Sequence, residues 1–329
     1  MVGFKIIDTL EIADKIVRQL LAVQPGERAL LIADTETEMS MVESIAAAIR
    51  SAGGEYVVAI MPSLGVGEGA HTTLPGMLKR ALEEADIAIG LNRTSGAPSY
   101  DDTVARLLRE RRIRYMSMVM RTPENWTKGA ATADYEEVHA TARRMRDLFT
   151  GDVCRVTTRL GTDLTSDIRG KRVIIEAGLA REAGQSSAFS DGEVSLGPVE
   201  GTTEGVVVVD GPIAYLGLPD EPVRMEVGEG RITEVEGGRT AERVRALLES
   251  VPNFDNFAEI GIGVNPKARR SGDWQEEKKR WGNVHIALGD NIYYGGTTKC
   301  PLHSDFVVYR PTVEVDGRVI VEEGELKLT

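Results

Sequence analysis

The apolar pattern of this chain changes period near Gly151, and no single kind of layer can satisfy both periods. Before that point the short apolar runs "RALLIAD", "EYVVAIM", "DIAIGL" and "IRYMSMV" alternate with stretches such as "MSMVESIAAAIRSAGG". In the latter, apolar residues recur at helical spacing and a glycine pair supplies the stop. Strand followed by helix, repeated, calls for parallel strands joined by crossover helices. Residues 1–150 are therefore expected to form an α/β domain on an open, mostly parallel sheet, closed by a helix from Asp134 to Leu148. After it, "CRVTTRLGTDLTSDIRGKRV", "VRMEVGEGRITEVEGG" and "VEVDGRVIVEEGE" alternate apolar and polar residues around Gly-containing turns, the pattern of antiparallel hairpins. Residues 151–329 are expected to be a β-rich, α+β domain with one clear helix at "TAERVRALLESV". A length of 329 residues suits two domains of ordinary size.

Charge narrows the partners. A formal net charge of −12 argues against nucleic acid or an anionic membrane, both of which need a positive footprint, and the local run "NPKARR" does not reverse it. The first residues carry charges throughout and read as an amphipathic helix rather than a signal peptide, and no window of 18 uncharged apolar residues occurs. Cys154 and Cys300 are too few for a disulfide framework or a thiolate zinc site. A cytoplasmic protein acting on a small molecule or short peptide is the expectation.

The chemistry concentrates in "GNVHIALGDNIYYGGTTKCPLHSD", residues 282–305. Read as a strand, "NVHIALG" puts Val284, Ile286 and Leu288 on one face and His285, Ala287 and Gly289 on the other. Upstream, "AEIGIGVNP" places Glu259 beside Gly261 and Gly263 in the same way, so two strands each offer an ionisable group next to small residues, which suggests room for a ligand. His303 and Asp305, two apart, leave one strand face within about 7 Å of each other. Glu193, after the turn in "FSDGEVSLGPVEG", is a further candidate, although alone it reads as a solvated turn residue. The set Glu193, Glu259, His285, His303 and Asp305 offers only nitrogen and oxygen donors, which suit catalytic zinc, manganese, cobalt or non-haem iron. The same residues also admit a plainer reading: a satisfied sheet histidine at 285, a local His303–Asp305 pair, and Glu259 bridged to Arg269 or Arg270. "SLGVGEGAH" lacks both phosphate-loop spacings and reads as a solvent loop, and His71 and His139 as surface residues.

In order, "DGEVSLGPVEG", "AEIGIGVNP", "GNVHIALGDN" and "HSDF" resemble the metallo-aminopeptidases typified by aminopeptidase T, across the whole second half. The resemblance implies a homodimeric, two-metal hydrolase of amide or peptide bonds. Glu193, Glu259, His285, His303 and Asp305 match the family's metal positions. On that reading, one of Glu193 and Glu259 is free to act as general base when a single metal is bound, and Tyr293 or Tyr294 is a candidate donor to the oxyanion. The chain departs from that pattern at Arg280, where an acidic residue is expected, and at Ile292, where a tyrosine is expected. The superfamily also holds 2,5-dihydroxypyridine dioxygenases, to which "GVNPKARRSG" and the His-x-Asp pair are similar. That alternative implies ring cleavage with iron(II) held by two histidines and an aspartate, the first histidine standing where this chain has Glu259.

Overall fold

Every residue of β1 (Arg28–Asp34) except Arg28 is buried, as a parallel strand covered on both faces requires. The structure, a computed structural model, describes residues 6–63, 74–93, 97–119 and 123–329. His71 and all of the glycine run except Ser63 lie outside the described residues. β1 pairs in parallel with β2 (Glu55–Met61) and β3 (Ile87–Leu91), and β3 with β4 (Arg114–Ser117). Helix α1 (Ile6–Asp14) precedes β1, and α2 (Met39–Ser51), α3 (Gly76–Glu84) and α4 (Asp102–Arg109) lie in the crossovers. Leu78 and Leu82 of α3 and Val104 and Leu107 of α4 share one apolar cluster with Leu30 and Ile32 of β1. Asp101 caps α4 by accepting from Thr103 N.

After α5 (Tyr135–Leu148) come β5 (Val153–Thr157), β6 (Asp163–Asp167), β7 (Ile174–Glu176), β8 (Ser186–Ala188), β9 (Glu193–Leu196) and β10 (Glu204–Val209). Then follow β11 (Val223–Gly228), β12 (Arg231–Glu236), α6 (Arg239–Ser250), β13 (Phe257–Gly263), α7 (Trp274–Glu277) and β14 (Val284–Gly289). The chain ends with β15 (His303–Val308), β16 (Thr312–Val315), β17 (Arg318–Glu322) and β18 (Glu325–Leu326). β8 returns to the first sheet, giving the all-parallel order β2-β1-β3-β4-β8. The others form two antiparallel sheets, β12-β11-β10-β6-β5-β16-β17-β18 and β15-β14-β13-β9-β7. Three of the hairpins turn on Glu229-Gly230, Asp316-Gly317 and Glu323-Gly324, with positive φ at both residues, as two-residue turns matched to strand twist require. The fold is thus an α/β layer on a parallel sheet together with β-rich antiparallel sheets.

Backbone contacts divide the chain into two units, Met1–Tyr135 with Gly178–Asp191, and Glu136–Ala177 with Gly192–Thr329. Where the sequence pattern draws one line near residue 150, the chain crosses between units three times, because β8 completes the parallel sheet beside β4. Among the described residues no helix is long and apolar enough to cross a membrane.

Candidate metal centre

The five-stranded antiparallel sheet collects the ionisable side chains. Its register sets Ala287 opposite Glu259 on one side and Asp305 on the other, Gly261 opposite His285, Gly289 opposite His303, and Gly263 opposite Glu193. Each charged residue therefore faces a small partner across the ladder, and the side chains can lean together over the gaps. Glu193, Glu259, His285 and Asp305 are buried, while the His303 side chain is 14% exposed. Glu193 is thus the first residue of a buried strand, not a solvated turn residue.

The glycine gaps serve packing and are not room for a ligand, a correction to the sequence reading. A Cβ at Gly261 would stand 2.0 Å from His285 Cε1, so the imidazole itself fills the space. At Gly263 it would meet the Arg280 carbonyl oxygen at 2.2 Å. The plainer reading of Glu259 also fails: its two oxygens meet His285 and His303, the Arg269 guanidinium forks onto Glu276 at 2.9 Å, and Arg270 lies over the Tyr309 ring.

Glu259 divides its carboxylate between two imidazoles, with Oε1 3.1 Å from His285 Nε2 and Oε2 3.0 Å from His303 Nε2. His303 Nε2 is also 3.6 Å from Asp305 Oδ1, and His285 Nε2 is 3.8 Å from Glu193 Oε2. The Lys278 ammonium completes the ring, 2.9 Å from Glu193 Oε1 and 3.5 Å from Asp305 Oδ2. Glu259, His303 and Asp305 each offer a ligand atom, and these lie within 4.8 Å of one another. His285 is outside that triplet and meets it through Glu259.

Burial opposes ionisation of every one of these groups, and their neighbours outweigh it. Glu259 is held well below the usual carboxylate range by His285, His303 and Lys278, and Asp305 is lowered chiefly by Lys278. His303 rises well above the ordinary imidazole value because Asp305 and Glu259 face it. His285 rises because of Glu259 and Glu193.

The donor set suits a divalent metal. His303 Nδ1 lies 2.7 Å from the Asp290 carbonyl, which can only accept, so Nδ1 carries a proton and Nε2 is the nitrogen turned toward the carboxylate oxygens of Glu259 and Asp305. With the raised pKa a second proton sits on Nε2 between them, and a divalent cation bound there would take that proton's place. Asp305 Oδ1, buried, has no hydrogen-bond partner among the described residues, and neither has Glu193 Oε2. A metal would answer the first vacancy directly.

Tyr294 stacks on the His303 ring, with centroids 5.6 Å apart and planes at 25°. Burial, then Glu259, Glu176 and Asp305, push its phenol well above the ordinary value, so it keeps its proton. Tyr293 is exposed, meets Tyr294 edge-on, and donates to Glu176 Oε1 at 3.2 Å. The short turn Ile292–Tyr294 is set by Glu200, which accepts from Asn291, Thr297 and Thr298. Those bonds outweigh the effect of burial and pull the Glu200 pKa down to about 2. His139 lies half-buried on α5, away from this constellation in sequence and element. Arg280 and Ile292 are both exposed.

Sequence reasoning missed Lys278. The cue was the long connection between β13 and β14, residues 264–283, since such loops in compact domains commonly carry function.

The family model described as "NicX: 2,5-dihydroxypyridine 5,6-dioxygenase" matches residues 15–328. A 2,5-dihydroxypyridine 5,6-dioxygenase of Pseudomonas putida is 25% identical over 276 residues, covering 78% of this chain and 75% of the relative. The solved structure of 2,5-dihydroxypyridine dioxygenase from Pseudomonas putida KT2440 superposes with a TM-score of 0.83 at 19% identity, over 99% of this chain and 98% of the other. Wild-type AmpT from Thermus thermophilus superposes with a TM-score of 0.67 at 15% identity, over 97% and 99%. The resemblance to both branches of the superfamily holds at the level of fold. The assignment to the aminopeptidase branch does not hold, and with it falls the expectation of an amide- or peptide-bond metallo-hydrolase: the family match and the curated relative are dioxygenases. The likeness to the dioxygenases is carried by "GVNPKARRSG" and the His-x-Asp pair, and Glu259, standing where that branch has a histidine, turns the expectation from sequence toward the hydrolases.

Proposed function

Because the chain belongs to the 2,5-dihydroxypyridine 5,6-dioxygenase (NicX) family, we propose that it opens the ring of a small hydroxylated pyridine with dioxygen, using iron(II) held by Glu259, His303 and Asp305. What carries the reading is that one imidazole nitrogen and two carboxylate oxygens converge within 4.8 Å in a chain matched to that family nearly end to end. The set has one imidazole and two carboxylates where the common non-haem iron(II) oxygenase triad has two imidazoles and one carboxylate, so Glu259 would stand in for the second histidine. When bound, iron(II) supplies the activation of dioxygen.

The remaining steps belong to side chains of this chain. Asp290 fixes His303 through its carbonyl, and His285 Nε2–H holds Glu259 by the oxygen turned away from His303. His285 is thus a positioning residue, and its own Nδ1 is buried without a hydrogen-bond partner among the described residues. Glu193 Oε2 is a buried acceptor without a hydrogen-bond partner among the described residues, and Lys278 and His285 hold the carboxyl ionised, able to take the proton of a substrate hydroxyl. Tyr294, which stays protonated, donates to a second ring oxygen. Tyr293, engaged by Glu176, shapes the rim. A cytoplasmic setting and a homodimer complete the proposal; a reducing compartment keeps iron ferrous and thiols free, and both cysteines are free.

The test is oxygen uptake by protein loaded anaerobically with iron(II) and given 2,5-dihydroxypyridine. Uptake of one dioxygen per ring lost, with both labelled atoms in the product, is expected. Iron bound at one equivalent without oxygen uptake on a panel of hydroxylated pyridines overturns the reading.

A further inference from the structure

The connection from β13 to β14 is tied at several points, and the ties share one outcome. Asn265 N donates to the Lys279 carbonyl at 2.9 Å and Trp281 N to the Asn265 carbonyl at 3.0 Å, which folds the segment back on itself. Arg269 forks onto buried Glu276. The Tyr309 hydroxyl donates to Glu277, and the Arg270 guanidinium lies 3.9 Å from the centre of the Tyr309 ring. Asn283 Nδ2 donates to the Glu277 carbonyl at 2.9 Å. The next residue is Lys278, whose side chain, 13% exposed, is thereby delivered into the gap between Glu193 and Asp305.

A charge count shows what that ammonium does. Glu193, Glu259 and Asp305 bring three negative charges, the next charges out, Glu176 and Lys279, offset each other, and imidazoles that ligate or orient are neutral. One divalent ion leaves one negative charge over, which Lys278 cancels. Two divalent ions beside Lys278 would leave a buried excess of positive charge, which is costly where water cannot screen it. The gap between the two carboxylates outside the Glu259–His303 pairing is also occupied: Nζ is 2.9 Å from Glu193 Oε1 and 3.5 Å from Asp305 Oδ2. Asp305 is shared, one oxygen toward Lys278 and the other, without a hydrogen-bond partner, toward His303.

We propose that Lys278 is a built-in second cation: its ammonium occupies the Glu193–Asp305 gap, restricts the centre to one divalent ion, and balances the charge that Glu259 adds as a carboxylate ligand. The proposal rests on the metal reading of the same residues given above.

The experiment counts ions. Wild-type protein, K278Q and K278R, stripped of metal and checked for fold by circular dichroism, are dialysed against manganese(II) and analysed for bound metal, with electron paramagnetic resonance to detect coupling between neighbouring ions. Wild type and K278R are expected to bind about one equivalent, and K278Q about two, with the coupled signal. Two equivalents in wild type, or a folded K278Q that stays at one, overturns the proposal while leaving the metal reading intact. No bound ion in wild type overturns both. Should K278Q fail to fold, wild-type crystals soaked in manganese(II) decide: one anomalous peak beside Glu259, His303 and Asp305 supports the proposal, and a peak between Glu193 and Asp305 with Lys278 displaced overturns it.

Discussion

Glu193 is buried, yet Oε2 of its carboxylate has no hydrogen-bond partner among the described residues, while Lys278 takes the other oxygen. A buried acceptor left open costs about 1–3 kcal/mol, which a substrate hydroxyl bound there would offset. Glu193→Gln keeps the shape and removes the base. We expect turnover to fall about 10²- to 10⁴-fold with bound iron unchanged, read by oxygen uptake beside metal analysis; equal loss of iron would move Glu193 from base to ligand. His303 gives a prediction in pH. In metal-free protein its folded pKa lies well above the ordinary value. Its contribution to stability is therefore complete below about pH 6.5, the unfolded value, and is lost as pH rises through the folded one. The same proton competes with metal for Nε2. Melting temperature of the metal-free protein should fall toward alkaline pH while manganese affinity rises. If the two move together, His303 is not the group that links them.

Strands β13 and β14 interlock where the imidazole of His285 fills the place a side chain at 261 would take. Gly261→Ala should cost about 1–3 kcal/mol in urea unfolding, the usual penalty of overpacking, and weaken metal binding by pushing His285 off Glu259. Pairing it with His285→Ala should recover part of the stability and none of the metal affinity; strict additivity of the two costs would mean they do not touch. The sequence showed half of this device. Alternation in "NVHIALG" and "AEIGIGVNP" marks the faces, and His-x-Asp puts two donors on one side. It could not show that the glycines face the histidine across the ladder, since register depends on partners far along the chain. The hairpins were legible from their Gly-containing turns. β8 was not, because Ser186–Ala188 is three small residues with no period to read. Lys278 was hidden for a further reason: Glu276 and Glu277 look like the solvated face of a helix, and only their burial against Arg269 and Tyr309 aims the next residue inward.

All five ionisable residues and Lys278 lie in the unit built from Glu136–Ala177 and Gly192–Thr329. A metal that binds only the folded centre stabilises that unit, by about 2.7 kcal/mol at a free concentration about a hundred times Kd. Calorimetry should therefore show metal raising the melting of one transition and leaving that of the parallel-sheet unit in place; equal movement of both would mean that the units unfold as one. The sheet order β15-β14-β13-β9-β7 also bears on how the molecule is made. Its members span residues 174 to 308, so the carboxylates meet only when strands distant in the chain have paired. Closing such long loops is slow, and the closure brings like charges together. An ion that arrives after the barrier has been crossed cannot hasten folding. It acts on the way out, slowing unfolding and lengthening the life of the native protein.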